Sequence, residues 1–254
     1  MRPVGLTSVP FRQMSVDEII ALARETGCTG IEWGSDVHIK PKQLDLAGQA
    51  AEACRQNQLA IFSYGSYYKL NQGLDPDTDF QAYLETAVKL GAPLVRIWAG
   101  RTASAQADDD FFQKAVAETQ RCCDLAAKVG IDVAFEYHRK SLTDNSASAV
   151  KLLKAVNRSN CKTYWQPNPE LTVEENSREL EEIRPWLARV HVFSWLPDNT
   201  RLPLAAQEAA WKNWLTLIPR EIPLILEFVK EDQPEQFRQD METLQKWLPH
   251  NTCL

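Results

Sequence analysis

Several common signatures are missing from this 254-residue chain, and each absence removes a class of function. No Gly-x-Gly-x-x-Gly follows the first strand-like run, so the dinucleotide fingerprint of doubly wound sheets is lacking. No Cys-x-x-Cys occurs, and most of the six cysteines fall inside helix-like or strand-like patterns. Cys28, Cys54, Cys122, Cys123, Cys161 and Cys253 therefore read as free thiols of a reducing cytoplasm. No stretch approaches the ~20 apolar residues of a membrane span. The opening MRPVGLTSV does not resemble a signal peptide. A basic excess is lacking too: the net charge of −6 argues against a nucleic-acid binder that works by neutralising phosphates. No linker or low-complexity tract divides the chain, so one domain over residues 1–254 is expected.

What is present is an alternation. Short runs rich in Val, Ile and aromatics recur at 4–8, 29–33, 59–64, 94–98, 132–138, 162–166, 189–193 and 223–228. Amphipathic stretches lie between them. One starts at Ser15 with Glu18 three residues on, a capping-box spacing, and stops at Gly27. Another opens on Asp108, Asp109 and Asp110, which favour a helix N-terminus, and closes at Gly130. Eight such pairs predict an α/β fold, a (β/α)8 TIM barrel, with a doubly wound sheet as the alternative.

In a parallel barrel the chemistry sits at the carboxyl ends of the strands. Four of the later strands end in potential metal ligands: Glu136 in VAFEYH, Gln166 in TYWQPN, His191 in ARVHVFSW and Glu227 in PLILEF. The gaps of 30, 25 and 36 residues each fit one helix, one strand and two loops (166−136, 191−166, 227−191). Period-2 alternation puts Ala134, Glu136 and His138 on one face, as it does Arg189, His191 and Phe193, and Ile225 and Glu227. That face must be the interior, because the outer face packs under helices and would strand a charge. Two carboxylates in one mouth repel, and a divalent cation between them relieves the conflict. This N/O donor set suits Mn, Co, Zn or Mg. The ordinary alternative is pairing of each Glu with an arginine, for which Arg96, Arg101, Arg139 and Arg189 are all available.

At these residues, and in the GCTGIEW segment, the chain resembles the xylose isomerase-like barrel superfamily of sugar isomerases and epimerases over essentially its whole length. The tagatose 3-epimerase-like members carry Glu, Asp, His and Glu in this order. The resemblance implies that Glu136 and Glu227 are both metal ligands and acid–base residues, and that His191 is a ligand. It also implies a divalent-metal-dependent isomerase or epimerase of a small sugar or keto-sugar, working through an enediolate. Two departures stand out. Where the family motif reads Asp-x-x-His, this chain has Gln166 and Pro169. Gln166 can ligate through its carbonyl oxygen but brings no charge, so the metal should bind more weakly. A four-histidine chain is also poor material for the three-metal site of the endonuclease IV branch.

For substrate contacts, His38, Trp98, Arg101, His138 and Trp195 are the candidates. Tryptophan faces suit sugar C–H surfaces, and Arg101 suits hydroxyl, carboxylate or phosphate oxygens. The ordinary alternatives are a polar loop for His38, a solvated rim for His138, and packing for the tryptophans. The loop after the last strand, VKEDQPEQ, is acidic rather than glycine-rich, which favours a non-phosphorylated small molecule. A dehydratase of the inosose type, using His38 or His138 as acid, and a catalytically decayed sugar-binding barrel are the competing readings. No nucleic-acid or membrane partner is expected; a homo-oligomer is compatible with the sequence.

Overall fold

The computed structural model describes residues 2–73 and 76–248, so Cys253 lies outside the described residues. The other five cysteines are free and buried. Among the described residues no helix is long and apolar enough to cross a membrane.

The strands in chain order are β1 (Val4–Thr7), β2 (Gly30–Gly34), β3 (Ala60–Lys69), β4 (Leu94–Trp98), β5 (Asp132–Phe135), β6 (Cys161–Trp165), β7 (Leu187–Val192), β8 (Ser194–Trp195), β9 (Arg201–Leu202) and β10 (Leu224–Leu226). β1 pairs in parallel with both β2 and β10, which closes the barrel and excludes the open doubly wound sheet. The helices are α1 (Val16–Glu25), α2 (Leu44–Gln56), α3 (Pro76–Leu90), α4 (Asp109–Ala127), α5 (Ser146–Val156), α6 (Val173–Ile183), α7 (Glu208–Leu217) and α8 (Pro234–Trp247). The (β/α)8 TIM barrel expected from the sequence is therefore the fold.

Local signals explain the boundaries. Ser15 and Glu18 form the expected capping box of α1, and Thr172 with Glu175 forms a second one at α6. Asp108 caps α4 through Phe111 N–H. The outward residues of the strands, such as Leu6, Ile31, Trp33, Val95 and Ile97, pack with the helices in one continuous core. Leu94, Ala134, Tyr164 and Ala188 form a second, smaller cluster.

Three details depart from the expected boundaries. β3 runs on to Lys69, five residues past the run at 59–64. The ladders of β5 and β10 stop one residue short of Glu136 and Glu227. Even so, Glu136 N–H donates to Ile97 and Glu227 N–H to Val192, so both stay in register with the neighbouring strand. The third is a short antiparallel hairpin, β8 and β9, inserted after β7. Arg201 of this hairpin pairs with Asp232 at 2.6 Å and lies 4.8 Å from the Phe228 ring. Trp195 Nε1 donates to the Phe228 carbonyl at 3.4 Å. In that loop Phe228, Glu231 and Asp232 all have positive φ (47°, 59° and 51°).

The register between β2 and β3 slips by one residue between Ile31/Ile61 and Glu32/Ser63, leaving Phe62 as the extra residue. Its ring occupies the space beside Gly5 and Gly30. A Cβ on Gly5 would sit 2.0 Å from the Gly30 carbonyl oxygen and 2.7 Å from the Phe62 ring. Backbone cannot yield as a flexible side chain can. Gly5→Ala is therefore expected to cost about 1–3 kcal/mol, the usual overpacking range, read as a lower midpoint in thermal unfolding. An unchanged midpoint would show that β1 can shift.

Candidate metal-binding active site

β2, β4, β6 and β7 each send a polar side chain into the centre of the barrel. Glu32, from β2, is wholly buried. Its Oε2 accepts from Ser63 Oγ at 2.7 Å and Tyr164 Oη at 2.6 Å. Its Oε1 faces Arg96 Nη1 and His191 Nε2, both at 3.1 Å. Burial alone would raise the Glu32 pKa. The charges of Arg96 and His191, with hydrogen bonds from His191 and Tyr164, outweigh it and hold the carboxyl below the usual range.

Arg96 is the pivot. Besides Glu32, its guanidinium lies 3.3 Å from Glu136 Oε2 through Nε and 3.8 Å from Glu227 Oε1 through Nη1. Burial opposes its charge, but Glu136, Glu32 and Glu227 together raise its pKa. For Glu136, burial comes first and raises the pKa; Arg96 lowers it and Glu227 raises it further. His191 lies between two acids: Nε2 faces Glu32, while Nδ1 lies 3.0 Å from Glu227 Oε2 and 3.1 Å from Gln166 Oε1. Burial disfavours its charge, yet Glu227 and Glu32 push its pKa up to about 10.

The donor set fits a metal ion. Glu136, His191 and Glu227 are all buried and each offers a ligand atom within 4.8 Å of the others. Gln166 Oε1 adjoins the same nitrogen of His191. Glu136 Oε2 is buried and makes no hydrogen bond, so the Arg96 guanidinium at 3.3 Å, which is shared with two other acids, satisfies it only in part. Three of the four expected ligand residues thus converge, and Gln166 lies beside one of them.

The substrate-side residues divide. Trp98, His138 and Trp195 line a pocket of about 220 Å³ over these groups, with Arg96, Glu136, Gln166 and Glu227 at its base. The Trp98 and His138 rings are 4.4 Å apart. Pro169 contributes to the wall, as do Phe193 and Phe228. Two expected contacts are not brought there. His38 turns Nε2 toward the carbonyls of Phe11 and Met14, both at 3.1 Å, and does not line the pocket. The Phe11 carbonyl also accepts from Met14 N–H, so His38 adds a side-chain tie to the turn before α1. Arg101 is exposed and also absent from the lining; it follows Gly100, whose φ is +82°.

Sequence reasoning did not place Glu32 or Tyr164 in the site, and named Arg96 only as one possible partner for a Glu. The same period-2 rule would have found them: Gly30, Glu32 and Gly34 share the inward face of β2, and Leu94, Arg96 and Trp98 that of β4. A charged residue in GIEW or LVRIW was the available signal. Of the four arginines considered, Arg96 pairs with the site. Arg139 pairs instead with Glu170 at 2.8 Å, and Arg189 donates to the Phe62 carbonyl.

A family profile described as xylose isomerase-like TIM barrel matches residues 20–247. Curated proteins give no match. Among solved structures, the chain is similar to the probable 3-DHS dehydratase AsbF of Bacillus anthracis, at 19% identity and TM-score 0.81 over 96% of this chain and 99% of that one. It is similar to D-allulose 3-epimerase of Methylomonas sp., at 15% identity and TM-score 0.72 over 97% and 98%. It is also similar to a xylose isomerase-like TIM barrel protein of Mycobacterium smegmatis in complex with magnesium, at 14% identity and TM-score 0.69 over 97% and 96%. At such identities these likenesses establish the fold.

Removing the guanidinium should expose its role. Arg96→Met leaves three buried carboxylates without it, at a cost of about 3–5 kcal/mol. Without the charge that lowers them, burial would hold the Glu32 and Glu136 carboxyls above their unfolded values, so their contribution is retained at low pH and lost as pH rises. The thermal-midpoint deficit of the metal-free variant should be larger at pH 8 than at pH 5. Equal deficits would show that the carboxylates do not depend on Arg96.

Proposed function

The chain belongs to the xylose isomerase-like TIM barrel family, and on that premise we propose that it is a divalent-metal-dependent isomerase or epimerase of a small sugar or keto-sugar. Glu136, Gln166, His191 and Glu227 would hold the ion (Mn, Co, Zn or Mg), and Glu136 and Glu227 would also carry the protons. The observation that carries this reading is the convergence of buried ligand atoms from Glu136, His191 and Glu227 within 4.8 Å, with Glu136 Oε2 left without a hydrogen bond. Charge supports it. Once His191 gives up a proton to ligate, three carboxylates, one guanidinium and a neutral imidazole sum to −2, which one dication cancels.

When bound, the ion would polarise a substrate carbonyl and favour loss of the neighbouring C–H proton through an enediolate. The remaining work falls to the chain. Burial raises the Glu136 pKa, which suits a carboxylate that must accept a proton from carbon and give it back. Glu227 lines the base of the same pocket and can serve as the second proton carrier. Return to the original carbon with inversion gives epimerisation; return to its neighbour gives isomerisation. Trp98 and Trp195 offer flat faces for C–H surfaces. His138 Nδ1 donates to the Arg139 carbonyl, which leaves Nε2 free for a substrate hydroxyl.

One observation favours a second reading. His138 lines the pocket, so an acid for expelling a β-hydroxyl is available, as a dehydratase requires. With His38 turned away, that role falls on His138 alone.

The test is metal analysis followed by deuterium exchange into a panel of keto-sugars in D2O. Exchange next to the carbonyl is expected, and should fall by about 10²–10⁴ in Glu136→Gln and Glu227→Gln. Loss of water from the labelled substrate would select the dehydratase. Sugar binding without exchange under every metal would select the decayed barrel. Mn at about 100 times its dissociation constant should stabilise the wild type by about 2.7 kcal/mol, and Glu227→Gln should lose most of that gain. Gln166→Asp adds a charge to the ligand set and should tighten Mn; unchanged or weaker affinity would contradict the charge argument.

A further inference from the structure

We propose that Glu32 is a positioning residue for the metal site: it keeps the ring hydrogen of His191 on Nε2 and so presents Nδ1 to the ion. The inference rests on the metal reading above but concerns a residue outside the ligand set.

Glu32 cannot itself ligate. Its two oxygens already face four donors: Ser63 Oγ, Tyr164 Oη, Arg96 Nη1 and His191 Nε2. An ionised carboxylate only accepts hydrogen bonds. The 3.1 Å contact to His191 is therefore a hydrogen bond only if Nε2 carries the hydrogen. On the other side of the ring, Nδ1 lies 3.0 Å from Glu227 Oε2 and 3.1 Å from Gln166 Oε1, acceptors that a hydrogen on Nδ1 bridges in the metal-free ring and that would share the ion once it displaces that hydrogen. A neutral imidazole with its hydrogen on Nε2 has its lone pair on Nδ1, and the hydrogen bond made by one ring nitrogen decides which form is present.

The surroundings leave Glu32 little freedom. The Tyr164 ring meets the His191 ring at 4.9 Å and 70°, so one tyrosine steadies both the acid and the imidazole. A Cβ on Gly65 would lie 3.2 Å from Arg96 Nη2 and 3.5 Å from Glu32 Oε1, so the absence of a side chain there gives this layer its space. A Glu32 that served only to neutralise Arg96 would leave the choice of imidazole nitrogen open, and that difference can be measured.

The chain has only four histidines, so a 15N-histidine-labelled sample gives a small spectrum. Two-bond 1H–15N correlations would be recorded metal-free and with zinc chloride, alongside zinc affinity from competition with a chromophoric chelator. The zinc-loaded wild type should show His191 protonated at Nε2 and metal-shifted at Nδ1. Glu32→Gln should weaken zinc by about 10–100-fold and, at a zinc concentration that saturates the wild type, bring up a population with hydrogen on Nδ1. Tyr164→Phe keeps the carboxylate, so it should retain the Nε2–H form with a smaller loss of affinity. Zinc bound through Nε2, or a Glu32→Gln affinity equal to wild type, overturns the role of Glu32 while leaving the metal reading intact. If Glu32→Gln does not fold, the wild-type spectrum alone decides. A wild type that takes up no zinc overturns the metal reading and this inference together.

Discussion

Arg96 reaches Glu32, Glu136 and Glu227 with one guanidinium, and none of these four charges has more than marginal contact with solvent. In so enclosed a place an unmatched carboxylate is costly, and breaking a buried pair costs more than a surface pair ever contributes. The barrel can carry three acids in its centre because a strand on their own wall supplies the cation. β4, which carries Arg96, pairs with β5, which ends beside Glu136, and is separated by β3 from β2, which brings Glu32. Closure of the cylinder brings Glu227 round from the far side.

This arrangement explains why the pairing of Glu with Arg and the binding of a metal are compatible. Each alone is incomplete. A single guanidinium spread over three carboxylates leaves Glu136 Oε2 without a hydrogen bond, and His191 is left between two acids. Gln166 is neutral where the related motif has an acid, and that spares the site a fourth negative charge. Tyr164 and Ser63 add no charge but saturate Glu32, which separates the inner carboxylate from the two at the pocket base.

Much of this was legible before any coordinates. Alternation of short apolar runs with capped amphipathic stretches gives the barrel, because each pattern has its own period and eight repeats suit closure. Glu136, Gln166, His191 and Glu227 were legible because each stands where a strand meets its loop. Glu32 and Arg96 were harder to see for the opposite reason: they sit mid-strand, where a charge looks like an exception rather than a site. His38 and Arg101 show what sequence cannot supply. Their positions near strand ends are correct, but the carbonyls of Phe11 and Met14 before α1 hold His38, and Arg101 stays exposed outside the pocket. The β8–β9 hairpin had no strong signal, since each of its strands is two residues long.

The loop that follows Glu227 holds three non-glycine residues in left-handed backbone, of which Phe228 is the least suited to it. Such a turn persists only when other contacts over-determine it, and here those contacts come from the hairpin: Arg201 on the Phe228 ring and Asp232, and the Trp195 indole on the Phe228 carbonyl. The two segments are therefore mechanically one piece. The contacts that hold the hairpin are the same ones that hold the backbone next to Glu227, so the far rim of the mouth and the carboxylate at its floor are tied through Phe228.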